Sequence, residues 1–310
     1  MPLPLLPRNI NDPTAQDSRE RRAIADFEKR MKRIGEGMHA ILKRQHYKVI
    51  TLNAGTFSQT KYQFNVDELT MDAMGMEIDN LIDRIILEGG DSRKLWLMTG
   101  YVEPAYQQGT GMAHANLVVQ SAAYKLSRPE LTNILTSAAY RLRLGYVRAR
   151  EYEEMKGLSA DLKKQFKTIL MDGMAQGINP NTIAERITAQ TGTDIVRSRR
   201  IARTEITTAL RRARVDEAED ATETLGLLIK MMQLSALSAT TRLSHAIRHA
   251  KLYTFEQVRA WMSTSPNMIN CKCTFVEVLV DADGKPWTPD IIEKAKKMRP
   301  DGFDYDDAEE

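Results

Sequence analysis

The chain has 310 residues, 42% hydrophobic and 27% charged, a composition typical of about two globular domains with a sizeable core. Its 44 basic and 41 acidic residues leave a net charge of +3, too small for a protein that binds polyanions through its overall charge. Two cysteines exclude a disulfide-rich secreted scaffold and favour a reducing, intracellular origin. No apolar run approaches the ~18 residues that a membrane span needs.

The beginning of the chain is predicted to be an arm followed by a helix. Four prolines within residues 1–13 indicate an extended arm. Apolar residues then recur at spacings of three and four, which predicts a helix with one apolar seam that needs a partner surface. The seam consists of Ile24, Phe27, Met31, Ile34, Met38 and Ile41.

The next segments are predicted from their alternation and their helix-end signals. Residues 47–53 and 62–66 alternate as a short hairpin would. Asp67 is placed to cap a following helix, which Gly89 and Gly90 would stop. Residues 91–155 are rich in Ala and Leu and predict two or three packed helices, with breaks near 100–104, 109–111 and 129.

The second half of the chain is predicted to mix helices and strands. Ser159 begins a helix that ends at Gly177, and Asn179 with Pro180 begins a short one that ends near Gly192. A longer helix is expected from Asp194 to about Thr224. The remaining expected elements are a strand within 225–237, a helix from the capping box of 254–257 through 261, and a strand at 273–280.

These elements predict an α+β fold, in which a helical domain precedes a smaller mixed domain with a short β-sheet. The expected organisation is an extended arm at 1–13, a helical domain at 14–155, an α+β domain at 156–300 and an acidic tail at 301–310.

Four residues have the types and part of the spacing of a structural zinc site. His245 and His249 would share one face of a helix, and Cys271 and Cys273 follow. Two thiolates and two imidazoles could complete a tetrahedral site, although the gap in Cys-x-Cys is narrower than usual. The alternative is that the cysteines are small apolar fillers and the histidines are hydrogen-bonded, and we favour this hydrogen-bonded interpretation. No other cofactor is predicted.

A second set of residues is polar and basic. Arg203-Thr204-Glu205 beside an apolar stripe predicts a structural polar network, extended by Arg242 and His245. An orienting arginine with a catalytic carboxylate is the weaker alternative, because no paired carboxylate stands at a useful spacing. Arginines on one face of the long helix are candidates for contacts with DNA phosphates: Arg200, Arg203, Arg211 and Arg214.

The order of the motifs in residues 155–280 resembles that of the phage Mu protein F-like family of tailed-phage head-morphogenesis proteins. The matching motifs are Gly157-Leu158-Ser159, Ala202-Arg203-Thr204-Glu205, Thr241-Arg242-Leu243-Ser244-His245 with Arg248-His249, and Asn270-Cys271-Lys272-Cys273. The chain departs from the family pattern at Ser238 and Thr240, where the family usually has Asp and Arg, and at Ala250, where a glycine is common.

The resemblance implies a structural minor head protein at the portal vertex inside the virion, assembled in the bacterial cytoplasm. It would act in head assembly and in DNA packaging or ejection. The implied partners are the portal protein, the capsid interior or scaffold, and packaged double-stranded DNA, with several copies or a ring around the portal. Two alternatives remain open: an ADP-ribosyltransferase-like enzyme with Glu205 as the candidate catalytic residue, and a stand-alone DNA-binding module.

Overall fold

The computed structural model describes residues 3–54, 57–88, 90–264 and 266–299. This part of the chain is mainly helical and contains two small antiparallel sheets, so the predicted α+β class is confirmed. None of its helices is long and apolar enough to cross a bilayer. The acidic tail predicted at 301–310 lies outside the described residues.

The described residues divide into two compact units, each made of separate stretches of chain. Unit 1 takes its residues from Met1–Arg22, Thr99–Val147 and Arg200–Glu310, and unit 2 from Ala23–Met98 and Arg148–Arg199. The limits between the two units fall inside three continuous helices. Those helices are α1 (Asp17–Lys43), α6 (Ala138–Lys167) and α8 (Pro180–Leu225).

Unit 2 is organised around the predicted apolar seam of α1. The seam residues from Phe27 to Ile41 are almost completely buried, and the ring of Phe27 meets that of Trp96 with centroids 4.6 Å apart. A Cβ added at Gly37 would lie 2.5 Å from Leu81, so the glycine permits close packing of the helix that carries Leu81, α2 (Glu68–Ile86). The partner surface that the seam needs is therefore supplied by other residues of unit 2.

The predicted hairpin and helix cap of unit 2 are confirmed. The carboxylate of Asp67 accepts the backbone N–H of Thr70 at 2.8 Å and caps α2. Gly90 follows the helix end with φ +87°, a conformation that glycine adopts readily. The elements are β1 (Tyr47–Ala54), β2 (Phe57–Phe64), α2 (Glu68–Ile86) and α7 (Gly173–Ala175).

Unit 1 places helices beside a three-stranded sheet. The strands of the sheet are β3 (Ile229–Leu234), β4 (Leu252–Tyr253) and β5 (Thr274–Leu279). Strand β3 lies in the centre and pairs antiparallel with both neighbours. The capping box of Thr254 and Gln257 is present at the start of α10, as predicted. The elements are α3 (Glu103–Gln120), α4 (Ala122–Ser127), α5 (Leu131–Leu135), β3 (Ile229–Leu234), α9 (Leu243–Ala246), β4 (Leu252–Tyr253), α10 (Phe255–Ser263), β5 (Thr274–Leu279) and α11 (Asp290–Lys296).

The amino-terminal residues of unit 1 lie against this sheet region. Residues 3–13 form neither helix nor strand. Leu3 and Leu6 pack on the apolar cluster that includes Val276 and Ile291. The backbone N–H of Leu5 donates to the side-chain oxygen of Asn116 at 2.7 Å. The described part of the arm is therefore held along its own domain.

Three predicted helix breaks are wrong. Helix α6 runs through Ser159, whose buried hydroxyl donates to Asp83 at 2.7 Å instead of capping a new helix. Helix α8 continues through Gly192, so the two helices predicted there are one of 46 residues. Helix α3 likewise includes Gly109 and Gly111. A glycine costs only about 1 kcal/mol in a helix interior, which tertiary packing easily offsets.

The close approach of α3 and α8 in unit 1 makes Gly109 sensitive to substitution. A Cβ at Gly109 would lie 2.3 Å from the carbonyl oxygen of Leu210, whereas a Cβ at Gly145 of α6 would meet nothing within 4 Å. We expect Gly109→Ala to lower the free energy of unfolding by about 1–3 kcal/mol. Gly145→Ala should raise it by up to about 1 kcal/mol. Urea denaturation of both variants measures the difference, and equal effects would contradict the close packing.

Candidate functional site

The arginines of α8 predicted to contact DNA have different positions. Arg200 is exposed, but Arg214 is only 2% exposed and lies beneath strand β5. Its guanidinium donates to both carboxylate oxygens of Glu277, at 2.8 and 2.6 Å. The Asn116 amide adds a bond of 2.7 Å to the same carboxylate. Arg214 and Glu277 therefore neutralise each other's buried charge inside unit 1.

Arg211 lies one helical turn before Arg214 and is also buried, with 1% exposure. One of its guanidinium nitrogens donates to the carbonyl oxygens of Cys271 and Cys273, at 3.0 and 2.9 Å. A second guanidinium nitrogen donates to the hydroxyl of Thr207. Arg211 thus fixes the backbone of the Cys-x-Cys segment. The prediction that Arg211 and Arg214 bind DNA is wrong, because neither guanidinium reaches the surface.

The Cys-x-Cys segment meets one of the two predicted histidines. The Nδ1 atom of His245 lies 3.4 Å from the sulfur of Cys271 and 3.5 Å from that of Cys273. All three side chains are buried, and their potential ligand atoms lie within 4.8 Å of one another. The ring of Trp261 packs edge-on against that of His245, at 5.1 Å between centroids. These three residues form the His/Cys cluster.

His249 does not belong to the cluster. Its Nδ1 accepts the backbone N–H of Ser235 at 3.1 Å, and its Nε2 lies 2.8 Å from the carbonyl oxygen of Ala295, to which it donates. Both ring nitrogens are therefore occupied by hydrogen bonds. The predicted four-residue zinc site is not assembled, because α9 ends at Ala246 and the two histidines do not share a helix face. The hydrogen-bonded alternative holds for His249.

Arg242 sets the hydrogen-bonding state of the His245 ring. Its Nη1 lies 3.0 Å from Nε2 of His245, and because a guanidinium only donates, Nε2 accepts and Nδ1 carries the hydrogen. Arg242 also donates to the carbonyl oxygens of Pro266 and Ile269. The Nδ1 hydrogen is consequently directed at the two sulfurs.

The two cysteines differ in acidity because they are hydrogen-bonded to each other. The thiol of Cys273 donates to Cys271 and lowers the pKa of Cys271 well below its ordinary value, and Arg211 and His245 lower it further. The same hydrogen bond raises the pKa of Cys273, with burial adding to the effect. The backbone N–H of Cys273 also faces the sulfur of Cys271, at 3.4 Å. Cys271 is therefore the sulfur that ionises first.

A cavity of about 530 Å³ opens beside the cluster, entirely within unit 1. Arg203 donates to the buried carboxylate of Glu20 and to the side-chain oxygen of Asn270. The hydroxyl of Thr204 accepts the backbone N–H of Asn270 at 2.9 Å. The residues lining the cavity include Asn11, Asp17, Arg203, Arg242, His245, Asn270, Cys271, Lys272 and Cys273.

The residues of the predicted polar network form two separate sets of hydrogen bonds. Arg203 and Thr204 are both hydrogen-bonded to Asn270, and Arg242 is hydrogen-bonded to His245. Glu205, the candidate catalytic residue of the enzyme alternative, is 7% exposed and does not line the cavity. The geometry gives the enzyme alternative no support from this carboxylate.

The comparison with known families agrees with the order of these motifs. Residues 164–276 match the family model described as phage Mu protein F like protein. This segment is similar to the Mu F-like family. No curated protein and no solved structure gives a significant match to the chain. The resemblance recognised in the sequence is confirmed, and it identifies the chain as related to phage head proteins.

The Mu F-like segment contains all three residues of the His/Cys cluster and the buried arginines. It begins within α6 and ends inside β5, so it includes the whole of α8 and the central strand β3. Three of the family motifs, widely separated in sequence, therefore contribute residues to the cavity of unit 1: Arg203 on α8, Arg242 with His245, and Asn270 with the two cysteines. Sequence reasoning found His245, Cys271, Cys273 and Arg242 for this site. It assigned Arg211 to DNA, because the contact of Arg211 with the Cys-x-Cys segment is recognisable only from the packing of α8 against that segment.

The buried ion pair of Arg214 with Glu277 should contribute to stability, whereas an exposed arginine of the same helix should not. Arg214→Leu leaves the carboxylate of Glu277 buried without its charge partner, so we expect a loss of about 3–5 kcal/mol in unfolding free energy. Adding Glu277→Leu should recover much of that loss. Arg200→Leu, at an exposed position of the same helix, should change stability by no more than about 0.5 kcal/mol. Chemical denaturation gives all three values, and an Arg214→Leu variant as stable as Arg200→Leu would contradict the structural role.

The departure from the family at Ala250 has a conformational consequence. Ala250 has φ +63°, in the left-handed region, which costs a residue with a Cβ about 1–2 kcal/mol. We expect Ala250→Gly to stabilise the protein by about 0.5–1 kcal/mol, after the entropy cost of glycine. Ala246→Gly, in α9, should destabilise by a similar amount. Thermal denaturation distinguishes the two signs, and a destabilised Ala250→Gly would refute the argument.

Proposed function

We propose that this protein is a minor head protein that binds the portal at one vertex inside the capsid of a tailed phage. The observation that carries the proposal is the match of residues 164–276 to the Mu F-like family. The same resemblance supports a role in head assembly and in the packaging or ejection of DNA. A few copies around the portal would suffice for such a role.

The structure changes which surface is the best candidate for the portal contact. The seam of α1 is buried within unit 2 and is not free to bind another protein. Strand β1 of the same unit exposes apolar side chains, with Tyr47 45% and Val49 59% exposed. Exposed apolar groups on a strand at the edge of a two-stranded sheet favour contact with another chain. We therefore propose that β1 contributes to the portal contact.

Direct DNA binding through the face of α8 is not part of this proposal. Of the four arginines considered, Arg211 and Arg214 are buried, and Arg203 is paired with Glu20. Only Arg200 remains as an exposed candidate, and one cation gives a small share of the phosphate neutralisation that sustains non-specific DNA binding. A part in packaging or ejection would accordingly act through the portal.

Coexpression with the portal protein of the same phage tests the proposal. We expect the two proteins to elute as one complex in size-exclusion chromatography with light scattering. Val49→Asp should weaken the complex by at least about tenfold, since about 1.4 kcal/mol of lost contact energy has that effect. Val196→Asp is the matched control, because Val196 is 65% exposed in the same unit.

The experiment tests the proposed function and the role of β1 separately. Failure of the unchanged protein to bind the portal, together with its absence from purified heads by quantitative mass spectrometry, would contradict the proposed function. Portal binding that is equal in the two variants would contradict the assignment of β1 alone. Circular dichroism of both variants should match that of the unchanged protein, because both substitutions are at exposed positions.

A further inference from the structure

The His/Cys cluster has the dimensions of a metal site. In a tetrahedral zinc site, with Zn–S near 2.3 Å and Zn–N near 2.0–2.1 Å, the nitrogen and sulfur ligands lie about 3.6 Å apart. Nδ1 of His245 lies 3.4 and 3.5 Å from the two sulfurs. Both nitrogen–sulfur distances thus match those of a zinc tetrahedron, and the two sulfurs lie within 4.8 Å of each other.

We propose that His245, Cys271 and Cys273 bind one Zn²⁺ ion, whose fourth position opens to the cavity and takes a water molecule. Two thiolates balance the charge of the ion, and the combination of soft sulfur with imidazole favours zinc over the oxygen-seeking Mg²⁺ and Ca²⁺. The site has three protein ligands rather than the four suggested by the sequence. His249 is not one of them, because both of its ring nitrogens are already hydrogen-bonded.

The ligands are held in place by residues that do not touch the ion. Arg211 fixes the carbonyl groups of both cysteines and brings a positive charge that favours thiolates. Trp261 packs against the edge of the His245 ring and limits its rotation. A site built in advance loses little conformational freedom when it binds its ion.

The cavity supplies both the open position and the route by which the ion enters. It is lined by all three ligands, so a metal bound there faces a space of about 530 Å³ instead of closed protein. Ser238 and Thr241 also line this space, and their hydroxyls can hydrogen-bond a metal-bound water. Three protein ligands with an open fourth position are the arrangement that leaves a zinc ion accessible to small molecules.

Arg242 competes with the metal. Coordination at Nδ1 moves the ring hydrogen to Nε2, where Arg242 Nη1 already lies at 3.0 Å, and two donors cannot hydrogen-bond each other. Binding therefore requires the guanidinium to turn away from the ring. It retains the carbonyl acceptors of Pro266 and Ile269, which it already contacts. The residue that orients His245 thus also limits the affinity of the site.

Metal analysis of the full chain is the first test. The protein is purified without chelator, stripped, given excess Zn²⁺ and desalted. We expect about one zinc per chain by mass spectrometry, with a higher melting temperature than the stripped protein. Co²⁺ in place of Zn²⁺ should give sulfur-to-metal charge-transfer absorption and the intense visible bands of a tetrahedral ion. Absence of bound metal from the folded, reconstituted protein would overturn the proposal.

Variants identify the ligands. Cys271→Ser, Cys273→Ser and His245→Asn should each lower zinc affinity by more than the roughly 10–100-fold that loss of an outer hydrogen-bonding partner causes. His249→Gln is the matched control and should keep one zinc per chain. Retention of full zinc affinity by all three ligand variants, or loss of zinc from a folded His249→Gln protein, would overturn the three-residue site. If a ligand variant does not fold, the Co²⁺ spectrum of the unchanged protein still reports whether sulfur is bound.

Arg242→Gln tests the competition directly. Removing the guanidinium donor from Nε2 should tighten zinc binding by about tenfold, which corresponds to one hydrogen bond that need not be broken. Arg259→Gln is a control for the loss of a guanidinium, because Arg259 pairs with Asp216 and Glu219 away from the cavity. It should leave zinc affinity unchanged. Weaker zinc binding in Arg242→Gln would show that Arg242 supports the site, contrary to the proposal.

Discussion

Two buried guanidinium groups on one helix determine how unit 1 is assembled. A charge removed from water must meet a partner, because an unpaired buried ion costs several kcal/mol. Arg214 meets the carboxylate of Glu277 in the middle of β5, and this pairing ties α8 to the central sheet. Strand β5 can pair with β3 in register only where Glu277 faces that arginine, since a shift by one residue would turn the carboxylate to the opposite face.

Arg211 satisfies the same constraint in a different way, and the difference creates the site. Its guanidinium is hydrogen-bonded to carbonyl oxygens and a hydroxyl, which carry no net charge. Its positive charge is therefore left to act on the nearby sulfurs and is one cause of the low pKa of Cys271. Two arginines only three positions apart thus have distinct roles. Arg214 neutralises a carboxylate, whereas Arg211 positions the Cys-x-Cys segment and favours its ionised form.

The sequence predicts those features that depend on neighbours in the chain. The cap at Asp67, the capping box of Thr254 and the strand at 273–280 follow from local hydrogen bonding and alternation, and all are present. The apolar seam of α1 is equally evident from the helical spacing of its residues. The surface that covers the seam is not, since the spacing of apolar residues does not say what they pack against. The helix breaks fail for a related reason: glycines in α3 and α8 look like interruptions, yet Gly109 permits close packing against the Leu210 carbonyl.

The histidines of the candidate site also show that spacing in the sequence does not fix where a helix ends. The spacing of His245 and His249 predicts a shared face only if the helix continues through both, but α9 ends at Ala246. The chain then turns through Ala250, whose positive φ directs it into β4. One imidazole consequently faces the sulfurs, while the other joins the backbone of Ser235 to that of Ala295.

Three of the motifs that relate the chain to phage head proteins lie close together in unit 1. Two of these motifs are hydrogen-bonded to the loop that leads into β5. Thr204 on α8 accepts the backbone N–H of Asn270, and Arg242 before α9 donates to the carbonyl oxygen of Ile269. That loop carries Cys271 and Cys273, so the position of the sulfurs depends on α8 from one side and on the segment after β3 from the other. These motifs hold the loop with Cys271 and Cys273 in place, and this structural role is sufficient to explain them. Any ligand held by the cluster would then join the same two segments that these hydrogen bonds already connect.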